Sequence, residues 1–174
     1  MTAMMLWISQ HTGYTIPELP TVSQFSPIEI RKFAYGCDED PVPSGNEDVC
    51  STQQFWDLDE MDKQSIPLAL YNHENNEIIV REGFDIDTIH DQSVLFHELV
   101  HHMQFHNGVY EIVRCKGELE GLAYSLQDKW LKEKYNVSVY NVIGVNELFL
   151  MLITACHDGL NGGVVPDPAY QNQN

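Results

Sequence analysis

The stretch VLFHELVHHMQFHNG, Val94 to Gly108, decides how the rest of the chain is read. Leu95, Leu99 and Met103 recur at four-residue intervals, which is the apolar stripe of a helix. Among them stand His97, Glu98 and His101, in the pattern HExxH. Residues four apart on a helix lie one above the other, so the two imidazoles project from one face. Each can offer a ring nitrogen to a single Zn²⁺ at about 2.0–2.1 Å. Glu98 is rotated by about 100° from His97, which sets it beside the metal rather than on it. From there its carboxylate can take a proton from water that the metal has acidified.

The other two histidines do not fit the same site. His102 points about 100° away from His101. His106 does not complete HExxHxxGxxH, because Asn107 holds the place of the last His and Gln104 the place of the Gly. Both are expected as partly exposed helix residues, or as groups behind the ligands. A catalytic zinc site takes three protein ligands and keeps one open position. Downstream, CKGELEGLAYSLQDKW (115–130) offers two carboxylates, Glu118 and Glu120, on either side of Leu119. Periodicity leaves both open.

HELVHH followed about twenty residues later by a helical Glu resembles the gluzincin zinc metallopeptidases, the group that includes thermolysin. In that group the ligand Glu opens a Glu-x-x-small-Asp segment whose Asp supports a metal-binding His. Laid on Glu120-Gly121-Leu122-Ala123-Tyr124, the resemblance makes Glu120 the third ligand and Ala123 the small residue. Tyr124 stands in the Asp place, where a phenol can hydrogen-bond an imidazole N–H. The stretch LALYNHENNEIIVREG (68–83) ahead of the motif extends the likeness to small, uncharacterised bacterial proteins read as zinc metallopeptidases, similar in size to minigluzincins. The likeness covers roughly residues 5–135. It implies a zincin-like fold in which Glu77–Arg81 is the edge strand above the active-site helix, open to an extended peptide by strand addition.

Around the motif the chain reads as α+β. A short helix is expected over 3–12, stopped by Gly13, then a strand TVSQF (21–25) and a helix PIEIRKFAYG (27–36) with Pro27 in its first turn. Leu68–Tyr71 and Glu77–Arg81 flank a polar HENN turn, which predicts a hairpin. The motif helix should run from about Ser93 to His106, capped by Asp87 or Asp91 and closed by Asn107-Gly108. A second helix is expected from Lys116 to Tyr135 on the stripe Leu119, Leu122, Leu126 and Trp130. NELFLMLITACH (146–157) reads as a buried helix, and 159–174 as a surface tail. The whole is read as a single domain over residues 1–174, a β-containing first half with the motif helix and a helical second half carrying the third ligand.

With 26 acidic and 9 basic residues, the formal charge of −17 repels phosphate backbones and argues against nucleic acid as a partner. No window reaches the roughly 20 apolar residues that a membrane span needs. MTAMMLWISQ lacks a basic n-region, so the numbering is read as cytosolic or as a mature or truncated form. Cys37 and Cys50 bound CDEDPVPSGNEDVC, within a surface loop over 37–56; a bridge there would contribute about 3 kcal/mol in the chain-entropy model. That bridge is expected and favours export over the cytosol, and the Cys115–Cys156 pair follows only by elimination.

The reading is a zinc metallopeptidase with one Zn²⁺ per chain on His97, His101 and Glu120, Glu98 as general base, and a peptide or protein as substrate. Tyr110, Tyr140 and His157 are candidate donors to the oxyanion. The alternatives are a zinc-stabilised domain that binds a partner without cutting it, and a regulatory protease that cuts a repressor.

Overall fold

The computed structural model describes residues 1–35 and 67–156. The expected 37–56 loop, the 159–174 tail, Cys37, Cys50 and His157 lie outside the described residues. Among the described residues the fold is α+β, with six α-helices and one three-stranded sheet. These are α1 (Thr2–Thr12), β1 (Thr21–Phe25), α2 (Pro27–Tyr35), β2 (Ala69–Asn72), β3 (Glu77–Arg81), α3 (Ile89–His106), α4 (Lys116–Tyr135), α5 (Val139–Ile143) and α6 (Glu147–Thr154). A 3₁₀ turn, Val109–Glu111, links α3 to α4.

The hairpin forms where it was expected. Asn72 accepts the Glu74 N–H through its side chain, and Asn76 takes the left-handed φ of 50° that turns the chain back. The strand order, however, is β1-β3-β2, with β1 parallel and β2 antiparallel to β3. Glu77–Arg81 is therefore the central strand, not the edge, and strand addition along it is blocked on both sides. The reason lies in EIIVR itself. Ile78, Ile79 and Val80 are all buried, which requires cover on both faces of the sheet. Ile78 and Val80 join the main core with Val94, Leu95, Phe96 and Leu99, whereas Ile79 packs with Leu70, Ile30 and Ala34 beneath α2.

Helix α3 starts four residues before the expected Ser93. Its cap is Thr88, whose hydroxyl accepts the Asp91 N–H at 3.0 Å, so neither Asp87 nor Asp91 caps it. Asp91 instead accepts the Asp85 N–H. Every residue from Ser93 to Gln104 is buried, so α3 is the central rod of the molecule rather than a surface helix. This overturns the expectation for His102, which is fully buried, with Nε2 at 3.0 Å from the Glu18 carbonyl. Burial first, and His106 beside it, hold that ring down at about 4, so it is neutral at pH 7. His106 is exposed, as expected.

Helix α4 has the expected bounds, closed by Asn136 in the left-handed region at φ 55°. Helix α6 departs from expectation: none of its residues is buried, and Leu148 and Met151 are 66% and 63% exposed. An unbroken apolar run carries no information on how many faces find a partner, and among the described residues α6 packs mainly on α4, along one side. Its end is fastened there by a Cys115–Cys156 disulfide. Thr154 also lies against two glycines of α4. A Cβ at Gly117 would sit 2.6 Å from the Thr154 carbonyl oxygen, whereas one at Gly121 would meet only the Thr154 side chain at 3.6 Å. Gly117→Ala is therefore expected to cost about 2 kcal/mol by overpacking against backbone. Gly121→Ala should be neutral or stabilising, because Ala is the better helix former. Thermal unfolding of the two variants checks this pair; equal midpoints would mean that α6 is not seated on Gly117.

Candidate metal centre

Positions 97, 101 and 104 fall on one face of α3, and 120, 124 and 127 on one face of α4, since steps of four and three residues nearly close two helical turns. The two faces meet. His97 Nε2 and His101 Nε2 are 3.0 Å apart. The Glu120 carboxylate bridges them, with Oε2 at 3.2 Å from His97 Nε2 and Oε1 at 3.3 Å from His101 Nε2. Among the described residues these three form the one group of His, Cys, Asp or Glu side chains whose ligand atoms converge within 4.8 Å. Glu118 does not take part. It lies in the first turn of α4, where it pairs with Arg114 at 2.6 Å and accepts the Arg114 N–H.

The hydrogen bonds behind the rings fix their tautomers. Gln104 Nε2 donates to the Leu119 carbonyl at 2.9 Å, so its Oε1 is the end that faces His101 Nδ1, at 2.8 Å. Gln127 Nε2 donates to the Ser93 carbonyl and hydroxyl, so its Oε1 faces His97 Nδ1, at 3.1 Å. An amide oxygen only accepts, so both Nδ1 atoms carry the proton and both neutral rings turn an Nε2 lone pair inward. Each glutamine also ties its own helix to the backbone of the other. The two were not singled out in the sequence, yet the signal is there: Gln104 stands three residues after His101, and Gln127 seven after Glu120.

Tyr124 does not make the expected bond to an imidazole, because Gln127 already occupies His97 Nδ1. Its ring packs against that of His97 instead, with centroids 4.4 Å apart. Burial, then the charges of Glu120 and Glu98, hold its phenol far above the usual range, so it stays protonated. Of the expected oxyanion donors, Tyr110 lies in the 3₁₀ turn with its ring edge-on to Phe105, and Tyr140 is exposed on α5.

Two inward lone pairs 3.0 Å apart repel unless a proton or a cation lies between them. Burial pulls the His101 imidazole down, but the Glu120 carboxylate outweighs it, with Glu98 behind, and raises the ring to about 9. Burial likewise opposes the charge on Glu120, yet the two imidazoles hold it well below the usual carboxylate range. A cation fits better than a proton. Ligand atoms about 2.0–2.1 Å from one tetrahedral ion lie roughly 3.3–3.4 Å apart, close to the three separations here. The side chains of His97 and His101 are 11% and 6% exposed and that of Glu120 is 27% exposed, so the centre opens to solvent on the carboxylate side. His97, His101 and Glu120 can hold a metal ion. Glu98, next to His97, is buried and its charge acts on both His101 and Tyr124.

A family model described as a domain of unknown function, DUF6647, matches residues 46–158. The chain belongs to the DUF6647 family. No curated protein and no solved structure matches it. The DUF6647 match takes in all of α3 and α4, and with them Glu98, the three ligand candidates, Gln104, Gln127 and both bridged cysteines. It leaves out α1, β1 and α2. The centre is thus a property of the DUF6647 portion itself.

The two glutamines give a test of how the centre is held. Gln104→Met and Gln127→Met keep side-chain length but remove the acceptor, and each is expected to lower zinc affinity by about 10–100-fold. Calorimetric titration measures it. Affinities equal to wild type would mean that packing alone orients the rings.

Proposed function

We propose that this protein is a zinc-dependent peptidase of the gluzincin type, built on a zincin-like fold, with one Zn²⁺ per chain on His97, His101 and Glu120. The observation that carries the reading is the convergence of two tautomer-locked Nε2 atoms and one carboxylate at mutual distances of 3.0–3.3 Å. A set of two imidazoles and one carboxylate, open on one side, is a donor set that hydrolytic zinc sites use. When bound, zinc supplies a Lewis acid that brings the pKa of water to about 7 and polarises a carbonyl.

The chain's own residues do the rest. Gln104 and Gln127 keep both imidazoles facing inward. Glu98 accepts the proton of the attacking water and passes it to the nitrogen of the leaving amine. Its burial beside His97 limits competition from bulk water for that proton. The substrate is a peptide or protein. The Cys115–Cys156 bridge supports an exported protein and speaks against the cytosolic, repressor-cutting alternative.

The test is cleavage of a mixed peptide library, followed by mass spectrometry, with zinc-loaded protein, chelated protein and chelated protein given zinc again. The reading expects cuts that vanish on chelation and return with zinc. Zinc bound with no cleavage in any arm would instead leave a zinc-stabilised binding domain.

A further inference from the structure

We propose that the Tyr124 hydroxyl donates the hydrogen bond that steadies the oxyanion when water adds to the scissile carbonyl; this assignment rests on the peptidase reading above. A peptidase of this type needs a donor other than the metal aimed at the carbonyl oxygen, since charge develops there only in the transition state. Three requirements select the residue. It must stand on the helix face that carries the exposed ligand candidate, its proton must not be spent on another partner, and its position must be fixed before the substrate arrives.

Tyr124 meets all three. It follows Glu120 by four residues on α4, so it rises from the same helix face one turn further on. Glu120 is the most exposed of the three ligand candidates, so this is the side on which the centre opens. The ring is partly buried and lies against that of His97, tilted by 56°, which holds it in place without using its oxygen. Among the described residues the hydroxyl has no hydrogen-bond partner: His97 Nδ1 is taken by Gln127, His101 Nδ1 by Gln104, and the Glu120 oxygens face the two Nε2 atoms. A protonated phenol offers one O–H donor.

The step balances without any further reagent. The water oxygen bonds to the carbonyl carbon, and the π electrons move onto the carbonyl oxygen. Tyr124 donates a hydrogen bond to that oxygen and keeps its own proton. Glu98 carries the water proton to the nitrogen, the C–N bond breaks, and the electrons return to form the carboxyl product.

Tyr124→Phe removes the oxygen and keeps the ring against His97. The expected result is a fall in kcat of about 10²–10³-fold with KM little changed, the size found on removing one oxyanion donor. Calorimetry gives a readout free of turnover. The variant should bind zinc as wild type does, yet lose a similar factor in affinity for an N-phosphoryl dipeptide, whose tetrahedral anion mimics the transition state. Tyr124→Ala separates donor from packing. If Tyr124→Phe matches wild type in kcat and in N-phosphoryl dipeptide affinity while only Tyr124→Ala is impaired, Tyr124 is a packing residue and the proposal is overturned, with the peptidase reading intact. If wild-type protein cleaves no peptide and binds no N-phosphoryl dipeptide when loaded with zinc, the peptidase reading fails and this assignment goes with it.

Discussion

Glu98→Gln is expected to abolish peptide cleavage while leaving the metal in place. Glutamine has the shape of glutamate but no basic oxygen, so it cannot take the proton of the attacking water. A positioned general base contributes about 10²–10⁴-fold, and kcat should fall by that amount. Zinc affinity should stay within about twofold of wild type, because Glu98 is not among the three converging ligand candidates. Removing a buried charge next to His97 and near His101 shifts the local balance only modestly, since Glu120 is the main charge acting on His101. Steady-state kinetics beside a zinc titration reads both quantities on one preparation. A variant that cuts as fast as wild type would remove Glu98 from the chemistry.

The second large effect is on metal retention and on stability together. Removing a ligand should cost more than removing the group behind it, so His101→Ala and Glu120→Ala are each expected to weaken zinc binding by more than about 100-fold. Metal that binds only the folded chain stabilises it by mass action, about 4 kcal/mol at a thousandfold excess over Kd. For a chain of this size that is a shift in Tm of roughly 10 °C. Chelation should therefore lower the Tm of wild type by about that much and leave His101→Ala and Glu120→Ala nearly unmoved. A wild-type Tm indifferent to both zinc and chelator would mean that the three side chains do not close on an ion.

Local periodicity is what the sequence made readable. The motif helix, the bounds of α4 at Lys116 and Tyr135, the hairpin and the short N-terminal helix all follow from patterns within one segment. The HExxH pair was legible for the same reason, because two residues one turn apart need no knowledge of the rest of the fold. What depends on a partner was not legible. Glu77–Arg81 becomes central because β1, far off in sequence, pairs beside it, although three consecutive buried residues were a sign of cover on both faces. The exposed α6 and the buried His102 fail in opposite directions for one cause: hydropathy describes a side chain, while burial depends on what crosses above it. The choice of Glu120 over Glu118 needed the family likeness, and the geometry gives Glu118 a different task with Arg114. Gln104 and Gln127 went unseen because glutamine has no marked preference for metal sites. Only their spacing from the ligands reveals them.

The most direct measurement is an anomalous difference map at the zinc edge from a crystal of the zinc-loaded protein. The account expects one strong peak per chain, about 2.0–2.2 Å from Nε2 of His97, Nε2 of His101 and a carboxylate oxygen of Glu120. A map with no peak there, or with zinc bound by other side chains, would contradict it.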